Sequence, residues 1–496
     1  MPTQDQSILS LDALRQLERQ ATDAGYNLMQ RAAMATADWV SHHLPSTSRL
    51  LICAGPGNNG GDALYAALEL MRRRFRVDVL VPTQPTSPAT SEALHELEQA
   101  QGHVMFDLPR DYRAPHLVID GLFGVGLSRD FDLEWTTLID RINQLGSPIL
   151  ALDCPSGLDA YTGVPANTAI QASHTLTFLC QKPGLFSASG ADLAGNVELD
   201  LLDCPPRLIP AADGSINQPD VRALLRPRNS HKGLFGTVCV IGGAPGMLGA
   251  ALLAGRSALA CGAGKVHVCP LDDRLPVDPV VPELMISALD EVADLPDADV
   301  LAVGPGLGLQ EQASRLLDQV IQQPQALVLD ADALNLLAND HAAAALIAKR
   351  QAGTILTPHP AEAARLLGQS TETVQKDRLL AARRLANHFN CVVVLKGAGS
   401  LIVGPDGFYH LNTSGGPALA VAGQGDVLTG IIAALLAQRM EPFEAASLAV
   451  HIHGLAGDDF EMETGGPIGL SASDTAWRAS LMLNRLIQER AQEQAS

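Results

Sequence analysis

The most concentrated chemistry in this chain lies in Gly423-Gln424-Gly425-Asp426, inside the glycine-rich stretch 415–430. A glycine turn delivers a carboxylate, and Val427, Leu428, Ile431, Ile432 and Leu435 then follow at helical spacing. Such a turn aims backbone N–H groups and the positive end of a helix at one point beside Asp426. A phosphoryl group in transfer can be held there, and the carboxylate can take the proton of the attacking hydroxyl. A plain helix start with an acid in its first turn has the same residues, so other positions must decide between the two.

Several further apolar runs in the same half end in loops suited to a ligand. Gly242-Gly243-Ala244-Pro245-Gly246, Gly304-Pro305-Gly306-Leu307-Gly308, Asp330-Ala331-Asp332, Thr357-Pro358-His359-Pro360 and Lys396-Gly397-Ala398-Gly399-Ser400 each follow a strand-like run. Glycine at such ends lets backbone approach a ligand closely. Lys396 among its glycines suits a nucleotide phosphate or the adenosine side of one. His359, fixed between prolines, reads as a ligand contact at this edge, although a lone histidine is more often structural.

The N-terminal half carries a second set. Gly55-Pro56-Gly57-Asn58-Asn59-Gly60-Gly61-Asp62 follows the run Leu50–Ala54 and has the formal Gly-x-Gly-x-x-Gly pattern. A dinucleotide fold also wants an acid about 20 residues on, to hold a ribose. That position reads Leu80-Val81-Pro82, which demotes a hydride-transfer enzyme. Asn58 and Asn59 can offer carbonyl oxygens to a hard cation or a ligand; equally, Asn and Gly suit a turn needing positive φ. Two more strand ends, Asp120-Gly121-Leu122-Phe123-Gly124 and Asp153-Cys154-Pro155-Ser156-Gly157, belong to the same edge if the sheet is parallel, so Asn59, Asp120, Asp153 and Ser156 converge.

The elements that must position these residues alternate between short apolar runs and helical patterns. Strands are predicted at Leu50–Ala54, Val77–Val81, Leu117–Asp120 and Ile149–Asp153, with helices over 62–74, 89–101 and 133–145, and one or two helices over 10–42. The Pro-rich, aperiodic stretch 204–214 ends this rhythm and places a boundary between about residues 205 and 225. A second α/β rhythm follows: strands at Thr237–Ile241, Val266–Cys269, Val300–Val303, Leu327–Asp330, Thr354–Thr357 and Val392–Lys396, then a hairpin over 400–411. The expected domains are 1–212 and 218–494.

Composition agrees with two α/β domains. Of 496 residues, 47% are hydrophobic and only 4% aromatic, so small residues must let helices lie close to sheets. A net charge of −20 argues against nucleic acid and anionic membrane as partners. The eight cysteines are scattered, without Cys-x-x-Cys spacing, and the first residues carry no basic or apolar leader pattern. A cytoplasmic location is expected.

Taken together, these motifs resemble the bifunctional NAD(P)H-hydrate repair enzymes. Asn58–Asp62, Asp120–Gly124 and Asp153–Gly157 are similar to the epimerase domain, and His231-Lys232-Gly233, Gly304–Gly308, Thr357–Pro360, Lys396-Gly397 and Gly425-Asp426 to the ADP/ATP-dependent dehydratase domain. The resemblance implies a Rossmann-like three-layer domain followed by a ribokinase-like α/β domain. It implies repair of NADHX and NADPHX, hydrates carrying water across C5–C6 of the reduced nicotinamide ring. The first domain would interconvert the R and S hydrates. The second would dehydrate the S form at the expense of ADP or ATP with Mg²⁺, through a phosphorylated intermediate, with Asp426 as base. The resemblance further implies that Asn58, Asn59, Gly60, Gly61, Asp62, Gly124, Val125, Gly126, Leu127, Ser128, Arg129 and Asp153 contact substrate in the first domain, Asp153 also being assigned a catalytic role. Ala250, Gly306, His359 and Asp426 would contact it in the second. Lys396, Gly397, Ala398, Gly399, Ser400 and Gly425 would bind ADP, and Asn59, Asp120 and Ser156 would hold K⁺. A homo-oligomer is expected. Two departures lie near the nucleotide loop: Ala422 stands where the family has Thr or Gly, and Gly416–Leu419 where it has Asn-Pro-Gly-Met.

Two other readings remain at this point. A small-molecule kinase of the ribokinase-like class would release a stable phosphorylated product. A non-enzymatic scaffold would leave the polar edge residues dispensable.

Overall fold

The computed structural model describes residues 6–126 and 130–495. The chain divides into two compact units, Met1–Ile216 and Asn217–Ser496.

The first unit holds a seven-stranded, wholly parallel sheet. Its strand order is His103–Met105, Arg76–Leu80, Arg49–Ala54, Leu117–Gly121, Ile149–Leu152, His174–Phe178, Asn196–Asp200. Alternation along the strands feeds two cores. Leu50, Ile52 and Ile119 pack with the helices Leu11–Asp23, Leu28–His43 and Asn58–Arg72, whereas Leu51, Cys53 and Val118 pack against Leu133–Asn143. The chain adds its first strands outward on one side of Arg49–Ala54, then reverses and adds Leu117–Gly121 on the other, so a crevice opens at the C-terminal ends of these two.

The second unit repeats this logic. Parallel strands run in the order Val392–Leu395, Thr354–Leu356, Ala326–Leu329, Val300–Val303, Thr237–Gly242, Lys265–Pro270, Met285–Ile286, with Leu401–Val403 and Tyr409–Leu411 added antiparallel as the expected hairpin. Its reversal lies between Thr237–Gly242 and Val300–Val303. The helix Gln424–Ala437 is apolar nearly all round and packs into the core beside Leu248–Ala260. Among the described residues no helix is long and apolar enough to cross a membrane.

The α/β class with parallel sheets is as expected. Three details differ. The strands His103–Met105, His174–Phe178 and Asn196–Asp200 extend the first sheet, and Met285–Ile286 the second, where no strand was read. The helix expected from residue 62 begins at Asn58. None of Gly55, Gly57, Gly60 or Gly61 has positive φ, so a turn demanding that conformation is excluded there. Gly55, Gly60 and Gly61 serve close approach instead: a Cβ on Gly60 would lie 1.9 Å from the Gly55 carbonyl oxygen.

Candidate active sites

In the first unit, Gly55 closes the crevice. Its N–H donates to the Gly121 carbonyl at 3.0 Å, and a Cβ here would fall 1.6 Å from the Leu122 oxygen. Asp120 is thereby fully buried. Its Oδ1 accepts from the Leu122 N–H at 3.1 Å and the Ser156 hydroxyl at 2.7 Å, and Oδ2 accepts from the Ser156 N–H at 2.8 Å. Burial pushes its carboxyl up to about 6. Asn59, in the first helical turn, faces the same loop: a Cβ on Gly124 would sit 3.4 Å from its carboxamide carbon. Both polar atoms of the Asn59 side chain are buried without a hydrogen-bond partner. An orphaned carboxamide costs about 1–3 kcal/mol unless something else satisfies it. Neutral oxygens from Asn59 and Ser156 beside the single carboxylate of Asp120 fit a hard monovalent cation.

Asp153 ends the next strand in a left-handed backbone conformation, φ +64°. Its Oδ1 lies 2.6 Å from the Nζ of Lys182 and accepts from the Phe178 N–H at 3.2 Å. Lys182 is wholly buried and also donates to Thr177 Oγ1 and the Phe178 carbonyl. Burial works against its charge, but Asp153 more than offsets this and raises its pKa. Two chambers of about 470 and 600 Å³ meet at this point, sharing Leu14, Glu18, Asn58, Asp62 and Asp153. The smaller is also lined by Asn59, Gly124, Val125 and Gly126. Gly60 and Gly61 are buried behind it, where a Cβ on Gly61 would meet Met29 and Thr90. Leu127, Ser128 and Arg129 lie outside the described residues.

In the second unit, Gly423 enters the helix Gln424–Ala437 with φ +88° and Asp426 sits in its first turn. Burial first, then Asp330, push the Asp426 carboxyl up to about 6, with Lys396 opposing. Lys396 Nζ donates to Asp330 Oδ1 at 2.7 Å, and Thr429 Oγ1 donates to Asp330 Oδ2 at 2.9 Å. A Cβ on Gly425 would lie 3.2 Å from that Nζ, so the lysine lies over the helix entry. The Gly397–Ser400 loop closes on itself through Ser400 Oγ and Gly397, and Arg378 donates to the Ala398 carbonyl. Gly306, with φ +59°, faces Ala250: its Cβ would be 3.2 Å from that of Ala250. His359 caps the helix Pro360–Leu367. Its Nδ1 accepts from the Ala361 and Glu362 N–H groups, leaving Nε2 to face Glu362 Oε1 at 3.2 Å. Glu362, pushed up to about 7 by burial, completes the cap. The Gln424 carboxamide is pinned by Thr475 at 3.0 Å and His453 at 3.1 Å.

Sequence reasoning missed Lys182, the anchor of Asp153, and the role of Asp330 as the partner of Lys396. One signal for Lys182 was present: it is the only Lys or Arg between Arg141 and Arg207. Arg378 and His453 left no pattern, because they act from elements remote in sequence from the loops they hold.

Two family profiles match this chain: residues 25–184 match the YjeF-related protein N-terminus, and 238–475 match NAD(P)H-hydrate dehydratase. The bifunctional NAD(P)H-hydrate repair enzyme Nnr of Coxiella burnetii is 36% identical, with 95% of this chain and 98% of that protein covered. Its namesake from Escherichia coli is 34% identical, with 98% and 95% covered. Among solved structures, the ADP/ATP-dependent NAD(P)H-hydrate dehydratase of Bacillus subtilis, co-crystallised with ATP and Mg²⁺, is 32% identical over 55% of this chain and 94% of that one, with a TM-score of 0.47.

Proposed function

We infer the roles of the two sites from one premise: this chain belongs to the family of bifunctional NAD(P)H-hydrate repair enzymes. It is accordingly an enzyme with two activities, NAD(P)H-hydrate epimerase and ADP/ATP-dependent NAD(P)H-hydrate dehydratase. We assign epimerisation to the cleft around Asp153 and dehydration to the helix entry at Asp426, acting in succession on NADHX and NADPHX.

In the first unit, Asn59, Asp120 and Ser156 would hold K⁺, supported by the unpartnered Asn59 carboxamide beside a buried carboxylate. The ion would supply fixed positive charge where the dinucleotide's phosphates enter an acidic cleft. Asn58, Gly124, Val125 and Gly126 shape the wall it faces.

In the second unit the leaving group decides the chemistry. The C6 hydroxyl is a poor one. Asp426 takes its proton, and the oxygen attacks the terminal phosphorus and releases the nucleotide one phosphate shorter. The ring nitrogen's lone pair then expels phosphate from C6, and loss of a C5 proton to water turns the resulting iminium into the C5–C6 double bond of the reduced ring. An aspartate pushed up to about 6 within a glycine-framed helix entry is the observation that carries this reading. N–H groups at Gly423–Asp426 and the Lys396 ammonium neutralise charge on the transferring group. No three His, Cys, Asp or Glu side chains among the described residues form a cage, so Mg²⁺ would be held largely through nucleotide phosphates, the usual arrangement for that ion. Lys396–Ser400 and Gly425 bind the nucleotide, while Ala250, Gly306 and His359 flank the substrate. A homo-oligomer in the cytoplasm completes the proposal; eight free, buried cysteines suit a reducing compartment.

Product analysis tests the second site. Incubation with the S hydrate and ADP or ATP should release one inorganic phosphate per reduced nicotinamide formed. A stable phosphorylated product would make the chain a kinase instead.

A further inference from the structure

The cleft of the first unit contains two carboxyl groups in opposite surroundings. Asp153 has the buried Lys182 ammonium at 2.6 Å on one oxygen, and it lines both chambers. Asp62 lines the same two chambers, on the helix Asn58–Arg72, and has no hydrogen-bond or ion-pair partner among the described residues. An unpaired carboxyl at a junction already holding Asp153 and Glu18 favours its proton.

We propose that Asp153 is the proton acceptor and Asp62 the proton donor of the epimerisation, with Lys182 as the positioning residue that fixes Asp153. The proposal rests on the assignment of epimerisation to this cleft. C6 of the hydrate carries both a hydroxyl and the ring nitrogen, so its configuration can be lost by opening the ring. The hydroxyl proton passes to the Asp153 carboxylate, and the O–H electron pair forms the second bond of a C6 carbonyl. The C6–N1 bond breaks, its pair goes to N1, and N1 takes the Asp62 proton. Rotation about C5–C6 presents the other carbonyl face. N1 returns its proton to Asp62 and re-adds, while the oxygen recovers the proton from Asp153. Each carboxyl ends as it began, and no other reactant is consumed.

The neighbouring charges support the split. Burial, then Asp153 and Glu18, push the Asp62 carboxyl well above its ordinary range. Glu18, on Leu11–Asp23, is itself raised by burial and by Asp153, with Lys182, Arg15 and Arg19 opposing. The thiols of Cys154 and Cys180, next to the Asp153–Lys182 pair, are raised by burial and stay neutral. Lys182 is therefore the cation tied directly to Asp153, through a contact that also uses Thr177 and the Phe178 carbonyl.

The test uses the full chain with K⁺, following R and S hydrate interconversion by chromatography across pH. Asp62→Asn keeps the shape and should lower kcat about 10²–10⁴-fold with KM little changed. Its profile should also lose the high-pH limb set by the acid, and Asp62→Glu should restore part of the rate. Lys182→Met should lower kcat with KM little changed, because Asp153 loses the partner that fixes it, whereas Lys182→Arg should restore most of the rate. A wild-type kcat and profile in Asp62→Asn, with Asp153→Asn inactive, overturns the acid–base pair but leaves the cleft as the epimerase site. Wild-type interconversion in Asp153→Asn overturns the cleft assignment itself.

Discussion

At the scale of single residues, the two sites rest on carboxylates whose surroundings set their proton affinity. Asp426, pushed up to about 6, must be deprotonated to act as base. The dehydration rate should therefore be level above that pH and fall about tenfold for each unit below it. Asp426→Asn should lower dehydration about 10²–10⁴-fold while nucleotide binding, measured by calorimetry, persists. Asp120→Ala should slow R and S interconversion at least about tenfold, as loss of support for an ion site does, and leave dehydration of the S hydrate unchanged. Tetramethylammonium in place of K⁺ should mimic that variant, and equal epimerisation in both salts would rule out a cation there. Asp120 and Asp426 could be singled out in the sequence because each ends a strand or opens a helix beside glycine, and Asp153 because it follows a strand and leads into a Pro-Ser-Gly loop. Lys182 and Asp330 were not identified as anchors, because a buried ion pair joins residues far apart in sequence and leaves no local pattern.

At the scale of elements, close packing of two helices holds the second site. A Cβ on Gly430 would lie 2.0 Å from the Ala254 carbonyl oxygen, where Gln424–Ala437 crosses Leu248–Ala260. Alanine normally gains ~1 kcal/mol over glycine within a helix, but overpacking here should cost about 1–3 kcal/mol. Gly430→Ala is therefore expected to lower the Tm of the second unit and to impair dehydration by shifting Asp426, and a raised Tm would refute this packing account. Most parallel strands were legible as short apolar runs. The short His103–Met105 and Met285–Ile286 were not, and neither were His174–Phe178 and Asn196–Asp200. The latter two are joined by a 3-10 turn and a four-residue helix instead of a full crossover helix, and Asn196–Asp200 is nowhere fully buried, so the alternation of strand and helix fails there. The helix start at Asn58 was placed four residues late because two glycines in a first turn suggest a loop; what they provide is close approach, of Gly60 to Gly55 and of Gly61 to Met29 and Thr90.

At the scale of the whole molecule, we propose that the two units work without each other. Asn217 opens the second and donates its side-chain N–H to Asn412 and to the Ser447 carbonyl, so a fragment should begin no later than this residue. Residues 217–496 alone should fold and dehydrate the S hydrate at the full chain's rate, leaving the R hydrate to its slow spontaneous conversion. A change of chemistry near residues 205–225 was legible from the Pro-rich stretch, since proline and aperiodicity interrupt both helix and sheet. The central claim, that one chain epimerises and dehydrates hydrated NAD(P)H, has a direct measurement. The purified protein is given an equal mixture of R and S NADHX with K⁺, Mg²⁺ and ADP or ATP, and the near-ultraviolet absorbance of the reduced nicotinamide is followed. The account predicts complete recovery in wild type, recovery of only the S half on the same timescale in Asp120→Ala, and none in Asp426→Asn. Recovery without nucleotide, or a wild-type plateau at the S half, would contradict it.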